Sequence, residues 1–177
     1  RLTRVDQRDD EVYALVYTSE PLREPLEILG TPQVLLYASS TARIALFSAK
    51  LCDVAPDGVS ALICKGALNA TRRASLQTPE PLNPGTVYEL AIDLGATGWR
   101  FEPGHCIRLD ICNADFPHLW PTPESAMSTI HRGGSQPSRL LMPTVTTGDP
   151  TAAPAPFAPP APASDLRATS ELRAPYY

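Results

Sequence analysis

No run of apolar residues in this sequence approaches the roughly 20 that a membrane helix needs, and no basic start leads into an apolar stretch as in a secretion signal. The chain therefore reads as soluble, with no membrane partner expected. Charge of one sign is not concentrated either. Fifteen basic and 19 acidic residues leave a net charge of −4, and no basic cluster is longer than Arg72-Arg73. The phosphate-neutralising stripe of a nucleic-acid binder is missing, so nucleic acid is not an expected partner. Cysteine is sparse, with four residues among 177, too few for a disulfide-built scaffold, so the core must come from packing. Cys106 and Cys112 share one expected strand, which at about 3.3 Å per residue places them roughly 20 Å apart, beyond disulfide reach. Cys52 and Cys64 flank the Pro56-Asp57-Gly58 turn and could face one another across a hairpin, or stand as two buried free thiols, the commoner case in cytosolic proteins.

The motifs of familiar catalytic sites are absent too. No G-x-S-x-G occurs, and Gly133-Gly134-Ser135 does not supply one. No C-x-x-C pair offers a zinc site, and no two histidines stand one residue apart as a cupin metal site would want. No metal and no cofactor are expected. The segment from Asp53 to Gly58 has carboxylates and a glycine at offsets like those of a calcium loop. Ala55 occupies a ligand position, however, and Cys64 stands where the bidentate glutamate belongs, so the segment reads as a hairpin turn. The three histidines, His105, His118 and His131, read as loop or strand-end hydrogen bonders.

What the chain does have is proline, 20 residues of it, and alternation of apolar with polar positions at period two. Tyr88, Leu90, Ile92 and Leu94 fall on one face with Glu89, Ala91 and Asp93 on the other, and Ile107, Leu109 and Ile111 repeat the pattern against Arg108 and Asp110. Strands are expected near residues 12–18, 33–39, 45–54, 59–70, 86–94, 105–113, 126–131 and 139–145. Turn clusters such as Asn83-Pro84-Gly85 and Glu102-Pro103-Gly104 separate them. No segment keeps a helical stripe for three turns. Many strands, Pro/Gly turns and no helices predict an all-β sandwich of two packed sheets with roughly eight or more strands. Beyond residue 147 the composition turns to alanine and proline, a tail over 148–177 that cannot build a core. Leu166, Leu172 and Tyr176-Tyr177 are its candidate anchors.

Trp99, Phe101, Phe116, His118 and Trp120 fall in expected loops or at their edges. They either plug the ends of the sandwich or form a contact surface for another domain, since loops on a rigid scaffold often carry recognition. Asp115 and His131 join them as candidate substrate or partner contacts. Were the chain a carbohydrate- or peptide-binding module instead, Trp99, Trp120 and Asp110 would be the first residues to test.

The run Leu15-Val16-Tyr17-Thr18-Ser19-Glu20-Pro21-Leu22 leads into Leu26-Glu27-Ile28-Leu29-Gly30, and then come Ala49-Lys50-Leu51-Cys52-Asp53-Val54 with Pro56-Asp57-Gly58. With Pro84-Gly85-Thr86-Val87-Tyr88-Glu89, Phe101-Glu102-Pro103-Gly104-His105, Asp115-Phe116-Pro117 and Pro137-Ser138-Arg139-Leu140, these strongly resemble the C-terminal domain of the X-prolyl dipeptidyl peptidase and cocaine esterase (CocE/NonD) family of serine hydrolases. The resemblance covers residues 3 to about 146. It implies a jelly-roll, galactose-binding-like sandwich over 11–147, preceded at 1–10 by the remnant of an interdomain linker. It also implies a non-catalytic role beside an α/β-hydrolase domain that carries the Ser-His-Asp triad. Family members hydrolyse esters or amides, and this domain packs on the catalytic domain and helps shape or shield its site. Homodimers in the family can use this domain, so a homo-oligomer is among the expected partners. A cytoplasmic location is expected. One departure stands out: Arg43-Ile44-Ala45 replaces an Asp-x-Asp pair usual in the family.

Overall fold

The computed structural model describes residues 6–135 and 137–145, and the fold below is that of these residues. The tail expected over 148–177 lies outside them. A short helix, α1 (Arg8–Glu11), precedes ten strands: β1 (Leu15–Thr18), β2 (Leu26–Gly30), β3 (Gln33–Ser40), β4 (Leu46–Val54), β5 (Ser60–Asn69), β6 (Tyr88–Asp93), β7 (Thr97–Phe101), β8 (Cys106–Cys112), β9 (Ser128–His131) and β10 (Arg139–Leu141). No described helix is long and apolar enough to cross a membrane.

The strands form antiparallel sheets. One runs in the order β1-β8-β4-β5, a second joins β10, β3 and β6 with β9 also on β3, and β2 pairs with β7. On β3 the alternation is clean, with Val34, Leu36, Ala38 and Ser40 buried and their neighbours half-buried. Val34, Leu36, Leu90 and Ile92 meet Phe47, Ala49, Leu51 and Ile111 of the first sheet in one apolar core, so the two sheets pack face to face as a sandwich. The backbones of β5 and β6 approach closely where Gly66 lies against Asp93. A Cβ there would stand 2.0 Å from the Asp93 carbonyl oxygen, so the site requires glycine.

β9 and β10 are two halves of one edge strand, pairing with Tyr37–Ser40 and Gln33–Leu35 of β3 in the same direction. Ser138 bridges the interruption: its Oγ accepts from the Tyr37 N–H at 2.9 Å and donates to the His131 carbonyl at 2.7 Å.

The expected strands are all present, with ends shifted by at most four residues, and two more appear. β2 and β7 were expected as connecting segments, yet they pair with each other from Leu26↔Phe101 to Gly30↔Thr97. Trp99 and Phe101 therefore sit on a strand and not in a loop, and Phe101 is a fully buried core residue unavailable to a partner. The turn at Pro56-Asp57-Gly58 joins β4 and β5 as expected, with Gly58 at φ 87°. A bulge in β5 brings Cys64 opposite Leu51 while Cys52 faces Leu62, so the two thiols sit on opposite faces and are free, as are Cys106 and Cys112.

Candidate partner-binding surface

The outer face of the first sheet shows how the fold holds its exposed aromatics. Along β4 the side chains alternate: Phe47, Ala49 and Leu51 enter the core, while Ser48, Lys50 and Cys52 point to the other side. That other side is also buried. Lys50 is opposite Asp110 of β8 and Lys65 of β5, and Cys52 is opposite Arg108 and Leu62. Residues 6–10, the end of the expected linker, are seated across this row together with Glu11. Gln7 is 1% exposed and accepts from Lys50 Nζ through Oε1 at 3.1 Å, its N–H donates to the Ser60 carbonyl at 2.8 Å, and Glu11 meets Arg108 at 2.6 Å.

Two lysines directly opposite on neighbouring strands repel, and Asp115 resolves the conflict. Its Oδ1 lies 3.1 Å from Lys50 Nζ and its Oδ2 lies 2.5 Å from Lys65 Nζ. Burial alone would raise the Asp115 pKa, but the hydrogen bonds from Lys65 and Lys50 outweigh it and hold the carboxyl below its ordinary value. Burial alone would likewise lower Lys50, and Asp115 and Asp10 carry it the other way. His118 adds a contact at 3.3 Å between its Nδ1 and Lys65 Nζ.

Asp115 is thus the root of a tight loop. Its N–H and carbonyl exchange hydrogen bonds with Leu119 at 3.0 and 2.8 Å, and the Phe116–Pro117 peptide between them is cis. The loop lifts Phe116 and Trp120 off the sheet, 66% and 71% exposed, with their rings edge to face at 5.2 Å. Four of the expected contact residues, Asp115, Phe116, His118 and Trp120, are therefore brought together, one as the buried anchor and three around the tip. Lys50 and Lys65, on which the arrangement depends, were not singled out from sequence. A lysine in the middle of the apolar run of β4 was the available signal.

The remaining candidates lie elsewhere. Trp99 on β7 donates from Nε1 to Asp53 Oδ2 at 3.0 Å, and His105 Nδ1 meets Asp53 Oδ1 at 2.8 Å, so both oxygens of that buried carboxylate are taken. His131 ends β9 with Nε2 at 3.4 Å from Ser39 Oγ, a strand-end hydrogen bonder. Asp110 is 2% exposed beneath residues 6–11, which removes it from any accessible sugar- or peptide-binding trio with Trp99 and Trp120. Burial and the nearby Glu11 push its carboxyl up to about 6. A cleft of about 320 Å³ opens between β1–β8 and β3–β9–β10, with Ser19 and Ser138 hydroxyls on its wall but neither histidine nor carboxylate among its lining residues.

With this geometry in place, likeness to known proteins is informative. Residues 3–151 match the family described as X-Pro dipeptidyl-peptidase C-terminal non-catalytic domain. The cocaine esterase of Rhodococcus sp. (strain MB1 Bresler) is 34% identical over 155 residues, which is 80% of this chain and 26% of that enzyme. An aminopeptidase from the marine sediment archaeon Thaumarchaeota archaeon superposes with a TM-score of 0.76 at 25% identity, over 80% of this chain and 27% of that one. An α-amino acid ester hydrolase does so with a TM-score of 0.75 at 26% identity, over 79% and 27%. The chain spans about a quarter of the length of each of these three relatives.

Proposed function

The chain belongs to the family of X-Pro dipeptidyl-peptidase C-terminal non-catalytic domains, as found in CocE/NonD-type hydrolases, and from that premise we propose that it serves as the accessory domain of an α/β-hydrolase with a serine nucleophile. Its work is packing: it docks on the catalytic domain, borders the substrate cleft and contributes no bond-breaking group of its own. The parent activity in this reading is hydrolysis of an ester or of an amide next to proline, the two chemistries named among its relatives.

The observation that supports this most is the 113–121 loop. Two large apolar rings stand in solvent on a base fixed by a buried carboxylate and two lysines. Exposed aromatics on a rigid base make efficient interface anchors, because little side-chain entropy remains to be lost on docking. Phe116, Trp120 and the flanking His118 are the residues placed against the catalytic domain in this reading. Self-association through the same rings is a competing use of the surface.

Hydrolysis of nitrophenyl acetate and Ala-Pro-nitroanilide tests the proposal. The chain is assayed alone, beside an α/β-hydrolase catalytic portion supplied as a separate chain, and with the two mixed. Turnover that rises on mixing, with none from this chain alone, is the expected result. Turnover by this chain alone that survives purification would overturn it.

A further inference from the structure

Among the described residues, four buried side-chain oxygens lack a hydrogen-bond partner: Glu11 Oε1, Ser48 Oγ, Ser60 Oγ and Asp110 Oδ1. All four belong to the outer face of the first sheet or to the segment laid across it, and none to the apolar core. Ser48 and Asp110 point outward from β4 and β8, Ser60 is opposite Val54 on the same side, and Glu11 reaches down from α1. Buried polar atoms are almost always paired. Ser48 and Ser60 stand apart toward opposite ends of β4, but Glu11 Oε1 and Asp110 Oδ1 belong to residues that meet beside Cys52, and these two ask for a common partner.

Three of the side chains around this place are of the metal-ligating kind. One ligand atom from each of Glu11, Cys52 and Asp110 lies within 4.8 Å of the others, and Cys52 Sγ is 3.7 Å from Asp110 Oδ2. Tetrahedral zinc, with Zn–S near 2.3 Å and Zn–O near 2.0 Å, sets sulfur and oxygen ligands about 3.5 Å apart. Arg108 holds Glu11 Oε2 at 2.6 Å and leaves Oε1 free, the arrangement in which an outer group orients a carboxylate toward a metal. We propose that Glu11, Cys52 and Asp110 form a binding site for a divalent, borderline-soft cation of the zinc class, which fastens the N-terminal segment to the first sheet.

The donor set selects the ion. A thiolate disfavours calcium and magnesium, which want six or more hard oxygen ligands, and favours zinc or cadmium. On coordination the Cys52 thiol gives its proton to solvent, and no redox partner is required. Sequence spacing could not reveal the site, because its ligands come from α1, β4 and β8 and no two are close in the chain. The expectation that no metal binds was drawn from the absence of C-x-x-C and paired histidines, which bears only on ligands adjacent in sequence. The inference stands apart from the accessory-domain reading, since it concerns how residues 6–11 are held and not what the exposed loop meets.

The test is titration of the full chain, first stripped with a chelator, with zinc chloride by calorimetry and with cadmium chloride by ultraviolet absorbance. The expected result is binding of one ion per chain with a sulfur-to-cadmium charge-transfer band. Cys52→Ser should abolish the band, and Asp110→Asn and Glu11→Gln should each weaken zinc on the order of 100-fold, at least the cost of losing an outer-shell partner. Circular dichroism of the variants establishes that they remain folded, and Glu11→Gln, on α1 outside the strands, keeps the test decisive if a strand variant does not fold. No saturable zinc binding would overturn the proposal. So would a cadmium band that persists in Cys52→Ser, or zinc affinity unchanged in both carboxylate variants.

Discussion

The two faces of β4 present the same strand with two solutions to burial. Inward, Phe47, Ala49 and Leu51 are at most 1% exposed in an apolar core where shape alone matters. Outward, Ser48, Lys50 and Cys52 are almost as deeply buried, yet each carries a polar group that must be answered. The outer face itself divides. Around Lys50 every charge is met, by Asp115, Asp10 and Gln7. Around Cys52 and Asp110 oxygens are left over. The difference teaches that burial on this domain has two origins: the inner face folds the sandwich, and the outer face seats the segment and loop that organise its contacts.

Breaking the inner face should cost most. Phe47→Ala removes a fully buried ring from the centre of the core, with an expected loss of about 4 kcal/mol in urea-measured stability. Next comes the paired half of the outer face. Asp115→Ala leaves Lys65 without its nearest carboxylate and Lys50 with only Asp10 and Gln7, for an expected loss of about 3 kcal/mol. It should also loosen the 113–121 loop, seen as faster amide exchange at Leu119.

The pH dependence sharpens the contrast, because Asp110 and Asp115 shift in opposite directions. Burial pushes the Asp110 carboxyl up to about 6 in the folded chain against an ordinary 3.8, so the folded state holds the extra proton between those values. Its stabilising contribution is full below about 4 and is lost as pH rises through about 6, amounting to roughly 3 kcal/mol at most. Asp115 is lowered, so its contribution is present above 3.8 and is lost only as pH falls further. In chelator, urea stability should therefore fall between about pH 4 and about pH 6 in the parent chain, and this fall should be absent in Asp110→Asn.

How much of this was legible beforehand follows from what each feature depends on. The half-buried strands were readable because their alternation is local: Tyr88, Leu90 and Ile92 on one face of β6 need no knowledge of a partner. β2 and β7 were not, since Gly95 and Gly98 around a short run look like loop, and only their mutual pairing makes them strands. Phe101 was misplaced for the same reason. The aromatic loop was visible as residues, whereas its anchoring was not, because Lys50, Lys65 and Asp115 meet only when β4, β5 and the loop after β8 are assembled. Arg108 and Asp110 read as the solvent side of an amphipathic strand. They are covered because residues 6–11 lie over them, a tertiary fact with no local signature.

The smallest expected change in stability belongs to the residues with the largest expected change in function. Phe116→Ser with Trp120→Ser alters exposed rings and should leave stability within about 0.5 kcal/mol. The measurement that tests the central claim most directly is sedimentation of this chain with an α/β-hydrolase catalytic portion supplied separately, for the parent and for this double variant. Co-sedimentation of the parent, lost in the folded double variant, is the predicted result. A parent chain that fails to associate, or a double variant that associates equally well, would contradict the account.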